Sequence, residues 1–259
     1  MIRRRIAAVL AAAVLCTTLG ACTGAPGASD ASVAPPKTPS EVCLGGGSHE
    51  SSSTWIETAD GTFDVGLVGD GDTTAIFVHQ MDANACGWFL YAADLASQGV
   101  RSMLVNLCGS GETECSKSSL TDTGADAVLA AVEAAVAEGA SRVVLVGASI
   151  GGTTVMKAAI RGAADGGFDA VADLSGPIVA DGTDLRAVAD AITVPTLLVV
   201  SPNDPVVSPS AMTELGEVIS SDDVTVILDG GGHGWDMLNG AGGTPGSTIG
   251  EQLAAFIVG

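Results

Sequence analysis

From Thr74 to Leu228 the chain alternates short aliphatic, β-branched runs with longer alanine-rich stretches. Thr74–His79, Ser102–Leu107, Arg142–Gly147, Ala170–Ser175, Thr196–Ser201 and Val224–Leu228 are mostly continuous apolar runs, as expected of strands covered on both faces. Trp88–Gln98, Asp122–Glu138, Ile150–Ala164, Leu185–Ala191, Pro209–Ile219 and Thr248–Val258 read as helices. Gly139 is placed to end the second of these, and Pro209 behind Ser208 to begin the fifth. Strands alternating with helices demand right-handed crossovers, and so a parallel sheet. Two earlier runs, Thr54–Thr58 and Phe63–Val68, are more mixed and read as an antiparallel edge hairpin around Asp60-Gly61. The expected architecture is α/β: a mostly parallel, twisted sheet of about eight strands with helices on both faces.

The amino terminus reads as a processing segment rather than as part of this fold. Arg3, Arg4 and Arg5 precede an apolar stretch, Ile6 to Leu15, that is too short to span a bilayer comfortably. Leu19-Gly20-Ala21-Cys22 then resembles the lipobox of bacterial lipoproteins, which implies a signal peptide over 1–21, lipidation at Cys22 and membrane attachment through that anchor. Thr23 to Ser40 is rich in Pro, Ala and Ser, so 22–42 reads as a flexible tether and 43–259 as the folded domain. The expected location is the extracytoplasmic bacterial envelope.

Removing the signal takes three of the 10 basic residues, leaving 7 against 30 acidic ones, a formal charge of −23. Such a surface repels nucleic acid. Beyond Cys16 and Cys22 the cysteines are Cys43, Cys86, Cys108 and Cys115, an even set that favours two disulfides in an exported chain. Three pairings are possible, and Cys108 has both Cys115 and Cys86 within its reach as candidates. With no C-x-x-C pair and only three histidines, neither a zinc site nor any other metal or cofactor is expected.

Gly147-Ala148-Ser149-Ile150-Gly151 stands where a buried strand meets a helix. In a chain with 35 glycines this motif carries little weight by itself. A nucleophilic serine needs a base, an acid to orient that base, and N–H donors for the oxyanion. His49 precedes the first strand and His79 ends the third, which leaves His233, in a glycine-rich loop after the last strand. The acid is expected just past a strand between serine and histidine, and Asp204 in Pro202-Asn203-Asp204-Pro205 fits, with Asp173 as runner-up. Ser149, Asp204 and His233 then all lie past the carboxyl ends of strands, where open α/β sheets bind ligands.

These residues resemble the α/β-hydrolase superfamily over roughly residues 55–258. The likeness runs through V-L-V-G-A-S-I-G-G at the serine, L-L-V-V-S-P-N-D at the acid, G-G-H-G before the last helix, and F-V-H-Q at the end of the third strand. Leu104 to Thr113 is similar to the family's Asp-x-Arg-Gly-x-Gly-x-Ser turn, with Asn106 and Cys108 in place of the Asp and Arg. The resemblance implies the α/β-hydrolase fold and a Ser149–His233–Asp204 triad. It implies an oxyanion hole formed by the amide of Ile150 and that of Met81 or Gln80. Gln80 replaces the family's usual glycine, and His79 is expected to orient the loop.

Only about 18 residues separate Ser175 from Thr193, where the family often inserts a lid. A near-lidless, open site is expected, flanked by Trp88, Pro177 and Trp235. The function these readings imply is a serine hydrolase acting on a small carboxylic ester. Peptidase, thioesterase and lipase remain alternatives, as does a non-catalytic envelope binding lipoprotein on the same fold.

Overall fold

The apolar runs form eight long strands, and they are found where the sequence pattern expects them. The computed structural model describes residues 34–47, 49–116, 119–164, 166–238 and 248–259. Its strands are β1 (Ser52–Thr58), β2 (Gly61–Val68), β3 (Thr73–Val78), β4 (Val100–Val105), β5 (Glu114–Cys115), β6 (Arg142–Ala148), β7 (Ala170–Leu174), β8 (Val179–Ala180), β9 (Thr183–Asp184), β10 (Thr196–Val199) and β11 (Val224–Ile227). The helices are α1 (Pro39–Leu44), α2 (Cys86–Ala96), α3 (Leu120–Ala137), α4 (Ile150–Gly162), α5 (Pro209–Val218) and α6 (Thr248–Val258).

The sheet runs β1-β2-β4-β3-β6-β7-β10-β11, with the two-residue β5 added beside β2. β1 pairs antiparallel with β2, and β2 with β4; every pairing from β4 to β11 is parallel. The strand period of two sends alternate side chains to opposite layers. Ile76, Val143, Leu145 and Leu198 pack against α3, α4 and α5. Ala75, Phe77, Val144, Val146 and Leu197 pack against α2 and α6. Both faces are dry, which is why these strands read as unbroken apolar runs.

Three departures have local causes. Residues Pro35–Gly259 form one compact unit, so the tether expected over 22–42 gives way to the fold eight residues before Cys43. Thr38 and Glu41 make a reciprocal capping box that starts α1, and Pro39 and Ser40 are buried. Capping chemistry inside a Pro- and Ser-rich stretch was masked by its composition. The helix expected over Leu185–Ala191 is instead two 3-10 turns, Leu185–Ala187 and Ala189–Ala191, broken at Val188 with φ −139°. Finally, β8 and β9 make a two-residue hairpin whose turn, Asp181-Gly182, has positive φ at both positions. The described segment between β7 and β10 is thus short, with no multi-helix insertion.

The four cysteines pair as Cys43–Cys86, joining α1 to α2, and Cys108–Cys115, closing the turn after β4. The segment expected to be a signal peptide, and the expected lipidation site Cys22, lie outside the described residues. Among the described residues, no helix is long and apolar enough to cross a membrane.

Candidate active site

β6 ends at Ala148 and α4 begins at Ile150, so Ser149 must reverse the chain alone. It does so at φ 52° and ψ −124°, a backbone conformation that residues other than glycine rarely adopt. The turn survives because its surroundings over-determine it. The Ser149 amide donates to Leu174 O at 2.8 Å, fastening the bend to β7. A Cβ on Gly147 would lie 2.1 Å from Gly151 O, and one on Gly151 would lie 2.3 Å from Val78 O. Only glycines let the helix start this close to β3 and β6. The result holds the Ser149 side chain out at the carboxyl rim of the sheet.

The loops after β10 and β11 supply the other two side chains. The Ser149 hydroxyl donates to His233 Nε2 at 2.7 Å. His233 Nδ1–H donates to Asp204 Oδ2 at 2.9 Å and Oδ1 at 3.0 Å. The Asp204 side chain is fully buried and that of His233 is 16% exposed. Burial works to raise the Asp204 carboxyl, but the amides of Val207 and Val206, the Ser175 hydroxyl and His233 outweigh it. The carboxyl is held below the ordinary range and stays ionised. Those two amides each donate to Oδ1 at 2.8 Å. Ser201 fastens the two loops together, its hydroxyl donating to Gly232 O at 2.7 Å.

Asp173 takes no part in this relay. It is wholly buried in β7, where its Oδ1 accepts the Gly176 amide at 2.6 Å and its Oδ2 has no partner among the described residues. Burial, against the opposing Gly176 hydrogen bond, pushes its pKa up to about 7.

The expected oxyanion residues surround one cleft. Ile150 is the first residue of α4, so its N–H has no acceptor within the helix. Ile150, Gln80 and Met81 line a cleft of about 460 Å³, together with Asp82, Leu107, Cys108 and Leu120. The Gln80 Oε1 is buried without a partner among the described residues, pressed toward Gly234. Met81 is 52% exposed at the mouth. A larger hollow of about 1060 Å³ between α1, β1 and α2 contains none of these residues.

His79 braces the loop from below. Its Nε2 accepts the Leu107 amide at 3.0 Å, which makes Nδ1 the protonated nitrogen, donating to Gln80 O at 2.8 Å. Burial pushes its pKa down, so the ring is neutral and welds the loop after β3 to the turn after β4. Asn106 does similar work beside it. Its Oδ1 accepts the Ala85 amide at 2.8 Å, and its Nδ2 donates to Asp64 Oδ2 at 2.9 Å.

Two expected site-lining residues are placed elsewhere. Trp88 and Trp235 are buried and meet ring to ring at 5.9 Å in the core, so neither borders an open site. Indoles carry the largest apolar area in the chain, and burying it outweighs display at a rim. Pro177 is half-buried, with its carbonyl accepting the Thr153 hydroxyl at 2.7 Å. Sequence reasoning passed over Ser201 and Ser175, because single polar residues at strand ends look the same whether they bond a loop or water.

No protein-family model matches the chain, and no curated protein sequence matches it. Solved structures do. An esterase of Pyrococcus furiosus superposes with a TM-score of 0.63 at 16% identity, over 71% of this chain and 84% of that one. The thioesterase domain from the curacin biosynthetic pathway gives 0.60 at 14% identity, over 81% and 100%. Mouse alpha/beta hydrolase domain-containing protein 10 gives 0.61 at 14% identity, over 80% and 97%. The chain therefore has the α/β-hydrolase fold.

Proposed function

We propose that this protein is a serine hydrolase of carboxylic esters, held at the bacterial envelope by a lipid on Cys22. The observation that carries the catalytic reading is the unbroken relay from Ser149 Oγ through His233 to the buried Asp204 carboxylate.

Asp204 accepts from Nδ1, which fixes the imidazole tautomer and leaves the Nε2 lone pair facing the serine proton. As Ser149 Oγ attacks the acyl carbon, that proton passes to Nε2 and the imidazolium is balanced by Asp204. The carbonyl oxygen becomes an oxyanion beside the amide of Ile150, with Met81 or Gln80 providing the second donor; losing one such donor typically costs about 2.7–4 kcal/mol of transition-state stabilisation. His233 returns the proton to the departing alkoxide, leaving an acyl-serine. Water, deprotonated by the same nitrogen, then releases the acid and restores the serine.

The cleft beside Ile150 supports a small substrate. Its lining is more polar than apolar, with Leu107, Leu120 and Ile150 among its apolar members, and Asp82 is the one carboxylate among the described residues that line it. With a formal charge of −20 on the whole chain, neutral esters are favoured over anionic ones. Structural likeness to esterases and a thioesterase is consistent with acyl transfer from either oxygen or sulfur leaving groups.

The envelope reading rests on Arg3–Arg5, the short apolar stretch and Cys22. It is tested by Cys22→Ser, which should move the protein from the membrane fraction to the soluble one; unchanged fractionation contradicts it. The catalytic reading is tested by short-chain p-nitrophenyl ester hydrolysis. Ser149→Ala should lower kcat at least about 10⁴-fold. Retention of the wild-type rate removes the nucleophile, and an inactive wild type that also resists fluorophosphonate labelling favours a binding protein.

A further inference from the structure

His233 sits in a loop that opens with Gly230-Gly231-Gly232, so its own backbone does little to hold the imidazole at bonding distance from Ser149. The bonds from Nδ1 to Asp204 and from Ser201 to Gly232 O hold it on one side, and a further anchor lies two residues on. Trp235, 4% exposed, belongs to the 3-10 turn Gly234–Leu238, and the Asp236 amide closes that turn back onto His233 O at 3.2 Å. The position of the indole is therefore handed directly to the histidine.

The indole is lodged in a slot with rigid walls. One wall is the backbone of α2 at Gly87. A Cβ there would lie 2.0 Å from Cη2, 2.1 Å from Cζ3 and 2.6 Å from Cζ2 of Trp235, so any other residue at 87 would expel the ring. The other wall is Trp88, which meets the ring nearly edge-on and donates its Nε1–H to Val78 O at 3.0 Å. Val78 ends β3, immediately before the His79-Gln80-Met81 loop. The α2 end of the slot is itself tied down. Cys86 is disulfide-bonded to Cys43, its amide donates to Asn84 Oδ1 at 2.9 Å, and the Ala85 amide donates to Asn106 Oδ1 at 2.8 Å.

We propose that Gly87 and Trp235 are a positioning pair that sets His233 relative to Ser149 and to the oxyanion loop. Neither residue touches substrate. The slot gives the base and the oxyanion loop a common reference, the end of β3, so the two are placed relative to each other. A misplacement of about 1 Å at such a centre can cost about 10²-fold in rate. This inference rests on the serine-hydrolase reading above.

The test compares Gly87→Ala, Trp235→Leu and the double variant, using ester kinetics and the rate of fluorophosphonate labelling at Ser149. Thermal melting with both disulfides intact confirms folding. Gly87→Ala should lower kcat and the labelling rate by about ten- to a hundredfold while KM changes less than about threefold, the signature of a lost transition-state interaction. Trp235→Leu withdraws the ring from the slot, so adding Gly87→Ala to it should cost nothing further. Wild-type labelling by folded Gly87→Ala, or losses that simply add in the double variant, would overturn the proposal. If Gly87→Ala does not fold, Trp235→Phe and Trp235→Leu decide: a graded fall in kcat at constant KM supports it, and unchanged kcat in both removes it. A wild type that does not label sinks the hydrolase reading instead, which separates the two failures.

Discussion

Two sides of the same rim are held by different physics. On the side of β6, β7 and β10, Ser149 and Asp204 are placed by backbone: a strained turn, close-packed glycines and amides that converge on a carboxylate. On the side of β3 and β4, the loop with Gln80 and Met81 is placed by side chains, through His79, Asn106 and Asp64, with the Cys108–Cys115 disulfide closing the turn alongside. Backbone placement leaves few side chains whose loss can loosen it. Side-chain placement is open to pH, reduction and point substitution. The first side should therefore fail only when a reacting group is removed, and the second by degrees.

The largest expected effect is on the first side. Asp204→Asn keeps the volume but removes the charge that selects the Nδ1–H tautomer, and kcat should fall about 10⁴-fold with little change in melting temperature. Steady-state kinetics beside a thermal melt would check this. A variant that loses stability but keeps its rate would assign Asp204 to structure.

Asp173 offers a contrast, because it is buried on the first side yet responds to pH. Its folded pKa, near 7, exceeds that of the unfolded carboxyl, so the native state binds the extra proton between about pH 4 and 7. Stability from this group is full below that window and lost as pH rises through it, by about 4 kcal/mol in all. Asp173→Asn should flatten the dependence in denaturant melts at pH 5 and pH 8. An unchanged slope would show that the carboxyl is already ionised in the fold.

The disulfides scale with the loops that they close. Removing Cys43–Cys86, separated by 43 positions, should cost about 4 kcal/mol, and removing Cys108–Cys115, separated by 7, about 2.5 kcal/mol. Alanine pairs in urea melts would rank them; the reverse order would mean that strain or residual structure outweighs loop entropy. The smallest effect on stability returns to the elbow. Ser149→Gly relieves the positive φ and should stabilise the fold by about 1 kcal/mol while abolishing turnover.

Much of this was legible before any coordinates, for a physical reason. A strand dry on both faces must be apolar throughout, so Thr73–Val78 and Arg142–Ala148 announce themselves, and Gly147 and Gly151 mark a turn that nothing larger can enter. The convergence of Ser149, His233 and Asp204 follows from where the strands end. The slot around Trp235 was not legible, because its partner is a glycine 148 positions earlier and a glycine's lack of a side chain leaves no chemical mark. The α1 capping box was hidden in the same way, by a Pro- and Ser-rich neighbourhood that reads as tether. Neither the choice of Asn106 as the node of a buried network nor the pairing of four cysteines follows from local pattern, since both depend on loops brought together by the whole sheet.

The decisive measurement is covalent. Wild-type protein and Ser149→Ala are treated with a fluorophosphonate probe, and the modified peptide is identified by mass spectrometry. The account predicts one adduct, on Ser149, formed by wild type and absent from the variant, with ester turnover lost in step with labelling. An adduct on another residue, or a wild type that hydrolyses esters while Ser149 stays unmodified, would contradict it.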